Sequence, residues 1–305
     1  MQILRVRPNF KLSRPTICLF AVVGLFFTST SLLAQRGGPN ANPRSGMERI
    51  EQEEGARRLA EFRNQRLQGD YVFEFQLEHK PRRARTVRFE GTMWGTWNEK
   101  GALSRFKILS EEKSPDGTEV FIELIVQNGF EPRAWVKRTG SDKFVLLEGD
   151  ALFEPILDGP LYSVFDLQMP FIYWSDFLYE GPARIGTGRV VQRFLMLPPE
   201  GSQSDERGIK GVRIGLDDTY NALRRIEVID EDGSVQSRFA VESFKKVQEQ
   251  YIVKTITLTN YPEKDRTSFK VIEASVGLNL DKELFDVSLS QDIEPAVIAG
   301  PYESI

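Results

Sequence analysis

The sequence is poor in the residues on which much enzyme chemistry depends. Its 305 residues include one cysteine and one histidine. One histidine cannot build a multi-histidine zinc site, and one cysteine can form neither an internal disulfide nor a thiolate cluster. A Ser-His-Asp constellation would have to use His79, and nothing near it resembles a nucleophile elbow. An excess of positive charge is also missing: 40 basic residues face 44 acidic ones, a formal charge of −4. That balance argues against a dedicated nucleic-acid binder, which needs a clustered cationic face for phosphates. What is present is 40% hydrophobic and 28% charged residues, the composition of a folded soluble protein, with 11% aromatics.

The first residues have the layout of an export signal. Arg5, Arg7, Lys11 and Arg14 form a basic start without an acid, and 16–27 is almost wholly apolar. Ala34 then offers a small residue at a signal-peptidase position, with Gln35 as the new N-terminus. The apolar run falls short of the roughly 20 residues of a membrane span, and no later segment reaches that length. Residues 1–34 are therefore expected to be a cleaved signal peptide and the mature protein periplasmic. Cleavage would remove Cys18 and four positive charges, moving the formal charge from −4 to −8. Residues 35–46, rich in Gly, Pro and Asn, should be a flexible lead-in.

Residues 47–67 have helical composition, with Met47, Ile50, Leu59, Phe62 and Leu67 as a sparse apolar stripe and Gly55 weakening its middle. From Gly69 the signal changes to period two. Tyr71, Phe73, Phe75 and Leu77 alternate with polar neighbours, and Val87, Phe89, Met93 and Trp97 continue the pattern with Gly91 and Gly95 on the same face. Phe106, Ile108 and Leu124 follow in later runs, separated by turn chemistry such as Asn128-Gly129. Residues 152–179 interrupt the strands with apolar and aromatic residues and three prolines, Pro155, Pro160 and Pro170. The prolines forbid one long helix. Short helices are expected, the last opening at Pro170 and running from Met169 to Leu178. Strands then resume as far as Ala274, giving about eleven or twelve in total, which favours an all-β architecture.

Several C-terminal pieces carry a resemblance. They are Asp176-Phe177-Leu178, GRVVQRFLMLP at 188–198, VRIGLD at 212–217 and LRRIEVID at 223–230 with Asp232-Gly233. YIVKTITLTN at 251–260 and VGLN at 276–279, leading to Leu284-Phe285, complete the set. Together they resemble the outer-membrane lipoprotein-sorting proteins of the LolA-like superfamily, and within it the subgroup named for an uncharacterised treponemal protein. The match is best over 187–289. One departure is Val253, where this group often has proline. The resemblance implies one domain over 47–305. It would be mainly β (α+β), with a strongly curved antiparallel sheet of about eleven strands forming an unclosed half-barrel wrapped around short helices. It further implies an apolar cavity for acyl chains, in a carrier or chaperone that makes and breaks no bond.

On that reading the cavity candidates are Phe73, Phe75, Phe89, Met93, Trp97, Phe106, Ile108 and Leu124. Phe171, Tyr173, Trp174 and Phe177 are the lid or plug candidates. The same residues would also serve as ordinary core, and geometry alone separates the two. His79, at a strand end beside Lys80 and Arg82, is expected on the surface; Arg82, Arg83, Arg85 and Arg88 form a basic cluster that is either a solvated face or a contact for anionic headgroups. The loop at 181–188 lacks the following helix of a phosphate loop, and Asp230, Asp232 and Gly233 lack the remaining ligands of a calcium loop. No catalytic residue, metal or cofactor is expected. The expected partners are lipid acyl chains or a lipoprotein, and an inner- or outer-membrane protein, with no nucleic acid and a monomeric state. A sensor or interaction module that regulates a membrane partner is the alternative on the same fold. An exported carboxylate-dependent hydrolase is a third reading.

Overall fold

The computed structural model of the protein describes residues 47–113, 119–186, 188–289 and 302–305. The segments expected to be the signal peptide, 1–34, and the lead-in, 35–46, lie outside the described residues.

Period-two alternation becomes two antiparallel meanders. The first contains β1 (Asp70–Lys80), β2 (Val87–Asn98), β3 (Gly101–Lys113), β4 (Glu119–Gln127), β5 (Arg133–Arg138) and β6 (Val145–Leu147). The second contains β7 (Phe177–Ile185), β8 (Arg189–Met196), β9 (Ile209–Asp217), β10 (Leu223–Asp230), β11 (Val235–Val247), β12 (Gln250–Asn260) and β13 (Arg266–Leu278). In each meander every strand pairs with its chain neighbour. The two join where β1 pairs antiparallel with β13, and the short β14 (Glu303–Ser304) adds to β13. The result is one sheet of 14 strands with β6 and β7 at its ends. The sheet does not close, and the chain crosses between those two ends through the Pro-rich insert. Fourteen strands exceed the expected number because β7 begins inside the span read as a helix and the two-residue β14 carries little sequence signal.

Two glycines allow the bend to pack tightly. Tyr71 pairs across from Gly95, and Phe75 across from Gly91. A methyl group at Gly95 would lie 1.9 Å from Tyr71 Cζ, and one at Gly91 2.6 Å from Phe75 Cζ. The aromatic rings therefore occupy the space left by the missing side chains.

Helix α1 (Gln52–Arg63) lies inside the expected 47–67 span. Leu59 and Phe62 are fully buried, and Gly55 is buried too, where a methyl group would meet Phe194 Cε1 at 3.3 Å and the Tyr179 ring at 3.6 Å. The residue that weakens the helix thus lets it approach the second meander. Hydrogen bonds hold it there: the Ile50 amide donates to Tyr179 Oη at 3.2 Å, and the Arg58 guanidinium donates to Asp218 Oδ1 at 3.0 Å.

The insert departs from the expected layout. It contains a 3-10 turn at Gly149–Leu152, helix α2 (Val164–Gln168) and a 3-10 turn at Pro170–Tyr173. The helix expected from Met169 to Leu178 does open at Pro170, but only as the 3-10 turn that ends at Tyr173. Met169 adopts a left-handed conformation, φ 42°, and ends α2, while Phe177 already opens β7. Helix α2 starts with a capping box between Ser163 and Asp166. A short helix α3 (Gln203–Glu206) lies in the β8–β9 loop.

The convex face differs between the meanders. Over the first, Val72 and Trp94 form a second apolar cluster with Leu280, Leu284 and Phe285 from the segment after β13. That segment is bolted on by Asp70, whose carboxylate accepts from the Leu280 amide at 2.7 Å and the Thr96 hydroxyl at 2.6 Å. Beneath it, Arg105 donates to Glu123, both side chains buried, and to the Leu284 carbonyl at 3.0 Å. Over the second meander the convex face is an ionic lattice: Arg213 forks onto Glu180 and reaches Glu227 at 3.1 Å, and Arg238 donates to Glu227 at 2.8 Å. Among the described residues no helix is long and apolar enough to cross a membrane.

Candidate functional site

The concave face of the first meander is built in belts that run across the strands. One contains Phe73, Met93, Phe106, Leu124 and Val136 in register; the next contains Phe75, Gly91, Ile108, Ile122 and Arg138. Above the second belt, toward the β1–β2 turn, lies a groove of about 550 Å³. Val87, Phe89, Ile108 and Ile122 line its floor, and Ile156 and Leu157 of the insert close one side. Ser110, Arg138, Thr139 and Asp158 also line it and give it polar groups. Its volume falls within the range of small-molecule sites.

Behind Ile108, Ile156 and Leu157, which line both spaces, is a second void of about 20 Å³. Its remaining lining includes Phe75, Phe106, Phe269 and Tyr162. That void has the size of about one water molecule. Groove and void are therefore neighbours separated by the turn 155–162.

This turn is a small closed loop. Pro155 and Ser163 form an isolated antiparallel bridge, and the Ile156 amide donates to the Tyr162 carbonyl at 2.9 Å. One further contact latches it to the sheet: the Leu161 amide donates to Thr267 Oγ1 at 3.0 Å, and Thr267 Oγ1 is 2.9 Å from His79 Nδ1. His79 is not on the surface as expected. It is 4% exposed, because the alternation that turns Tyr71, Phe73, Phe75 and Leu77 inward carries His79 inward as well. Burial holds its pKa below the ordinary histidine value of 6.5, with Asp265 and a backbone bond opposing.

The other half of the insert is pinned. Arg63 of α1 donates to the Ile172 carbonyl at 2.6 Å and to the Trp174 carbonyl at 2.8 Å. Asn128 donates to the Gln168 carbonyl at 2.9 Å. The Asp166 carboxyl is pushed up to about 6 by burial, against the lowering effect of its bonds to Ser163.

The sequence-derived residues are distributed unequally over these spaces. Phe75, Phe106 and Ile108 line the inner void, and Phe89 and Ile108 line the groove. Phe73, Met93 and Leu124 lie in the packed core, and Trp97 is partly buried against it near the opposite end of β2. Of the lid candidates, Phe171, Tyr173 and Trp174 are buried in the core, and Phe177 is half-buried as the first residue of β7. Ile156, Leu157, Tyr162, His79 and Arg138 were not singled out as site residues. His79 and Arg138 could have been found by extending the strand alternation one step past the last apolar residue. Ile156 and Leu157 gave no such signal, because their position depends on where the loop folds back.

An open antiparallel sheet bent around a helical plug, with a groove at one rim, defines the molecule as an unclosed half-barrel. The LolA-like fold is its particular form. A DUF1329 family protein from Desulfovibrio piger superposes with a TM-score of 0.65 at 12% identity, covering 78% of this chain and 98% of its own. An outer membrane lipoprotein-sorting protein domain from Vibrio parahaemolyticus gives 0.64 at 14% identity, covering 82% and 100%. A LolA superfamily protein from Nitrosomonas europaea gives 0.53 at 10% identity, covering 72% and 90%. No protein-family model matches the chain, and no curated protein matches it.

Proposed function

We propose that the protein is a periplasmic carrier that binds a lipid, or the acyl part of a lipoprotein, without catalysis. The observation that carries this reading is the rim groove of about 550 Å³ beside an apolar void, the two separated only by the turn 155–162. An aliphatic chain gains ~0.8 kcal/mol for each methylene it buries, so about ten methylenes in such a groove would give substantial affinity. Deeper entry of an acyl chain would displace Ile156 and Leu157 of the turn that the Leu161–Thr267 hydrogen bond latches to the sheet. The fold it shares with a lipoprotein-sorting domain supports the same reading at the level of architecture.

The test is mass spectrometry under native conditions of protein recovered from the periplasm, together with displacement of a fluorescent fatty-acid probe. Co-purified lipid and competitive displacement are expected. Protein that is repeatedly lipid-free and does not bind the probe would sink the carrier reading. Stable recovery of a membrane protein in a pull-down from the same cells, in that case, would favour the regulatory module.

A further inference from the structure

The groove is not uniformly apolar, and among the described residues the cation that lines it, Arg138, stands in an unusual place. Along β5 the residues Ala134, Val136 and Arg138 follow one face of the strand. Ala134 and Val136 pair with Val126 and Leu124 of the core, and Arg138 pairs with Ile122 on the groove floor. Arg138 is therefore the last residue of an inward-facing row, a guanidinium at the end of a hydrocarbon belt. It is exposed, and it makes no ion pair with another described residue. An arginine in this position lays its aliphatic stem along the apolar floor and keeps its planar head at the mouth.

Among the described residues the surrounding charges favour an anion there. The β1–β2 turn, which leads directly into the groove residues Val87 and Phe89, contains Arg82, Arg83 and Arg85, all exposed. Glu78 near that turn is already engaged by Lys80 and Arg88. Among the described residues the acid lining the groove is Asp158, on the turn opposite and exposed, and Asp265 accepts from the Arg82 amide at the β1–β2 turn at 2.8 Å.

Resting on the lipid-binding reading, we infer that the ligand is a long-chain amphiphile with an anionic head, its chain on the Phe89–Ile108–Ile122 floor and its head held by Arg138. A fatty carboxylate and a phosphate-headed lysolipid share this chemistry, because a guanidinium forks onto either. The test measures binding of three probes to the purified protein by calorimetry, each below its micelle concentration: palmitate, palmitoyl lysophosphatidylglycerol and uncharged monopalmitoylglycerol. Both anions should bind about tenfold more tightly than the neutral probe, with the preference shrinking in high salt. Comparing palmitate with the lysolipid identifies the head class, whichever binds more tightly.

In Arg138→Gln the preference should vanish while the neutral probe binds unchanged, and Arg138→Lys should keep part of it. Equal binding of all three probes to the unaltered protein would overturn the inference and leave lipid binding standing. Loss of preference in a variant with Arg82, Arg83 and Arg85 replaced by Gln, but not in Arg138→Gln, would also overturn it, placing the head at the turn. Failure of every probe to bind would remove the lipid-binding reading itself, and this inference with it.

Discussion

The two meanders share one sheet but close their concave faces by different means. The second meander, β7–β13, is covered by α1 and by Met169, while the 165–174 part of the insert is tied to α1 by Arg63 through two carbonyls and to the first meander by Asn128. The first, β1–β6, is covered near its rim by the turn 155–162, held by one small bridge, the latch at Thr267 and the packing of Tyr162 on Phe239. The groove lies there, whereas a void lined by Met169, Leu223, Ile226 and Phe239 in the second meander measures about 10 Å³. One half packs against a helix, and the groove of the other opens beside a turn. The division is set by cover and not by the sheet, since both concave faces are hydrocarbon.

The largest expected effect tests the half packed against a helix. Phe194 is fully buried between α1 and the sheet, so Phe194→Ala should cost ~3–5 kcal/mol in urea unfolding. Phe89→Ala, beside an existing groove, should cost clearly less. Equal losses would erase the distinction between the halves. Close behind is the convex face of the first meander, where Arg105→Ala strands a buried Glu123 carboxylate and should cost ~3–5 kcal/mol. The double change to Met and Leu should recover most of that in the same assay.

A smaller effect tests the turn. Gly159 has φ +107°, a conformation costing other residues ~1–3 kcal/mol, so Gly159→Ala should speed hydrogen exchange at the Ile156 and Leu161 amides. Exchange at Met169 and Ile172 should not change, and parallel acceleration there would show that the insert moves as one body. The smallest effect is the pH dependence of the latch. Because burial depresses the His79 pKa, neutral His79 stabilises the fold fully above pH 6.5, and that contribution fades as pH falls through the folded value. Asp166 acts oppositely, its burial penalty lifting as pH falls through about 6. Comparing unfolding of the unaltered protein with that of His79→Asn across this window isolates the histidine, and NMR titration should place its midpoint below 6.5.

Much of the sheet was legible because strand faces follow from period two. Tyr71, Phe73, Phe75, Leu77, Phe89 and Met93 all face inward as their spacing requires, and the Gly91 and Gly95 positions were visible before their aromatic partners were known. What was not legible depends on contacts distant in sequence. The capping of α2 by a left-handed Met169 is one case: a non-glycine residue adopts that conformation only when its surroundings impose it, so the break between α2 and the turn at Pro170 had no local signal. The groove is another. Ile156 and Leu157 look like any apolar pair in a Pro-rich insert, and only the bridge from Pro155 to Ser163 places them against Ile108. The apolar cluster around Trp94 was hidden for the same reason, its partners Leu280 and Phe285 lying near the other end of the chain.

The pairing of β1 with β13 has a consequence for how the molecule is made. Asp70 hydrogen-bonds to Leu280, 210 positions later, and β1, already paired with β2, finds its second neighbour only in the last long strand, β13. A chain emerging from a ribosome or a translocation pore in order would hold β1 with one side unpaired until almost everything else had arrived. Pairing across that distance is slow to nucleate, and an open strand edge meanwhile invites the wrong neighbour. Synthesis can complete each meander separately, but the two become one sheet only after the last long strand is released.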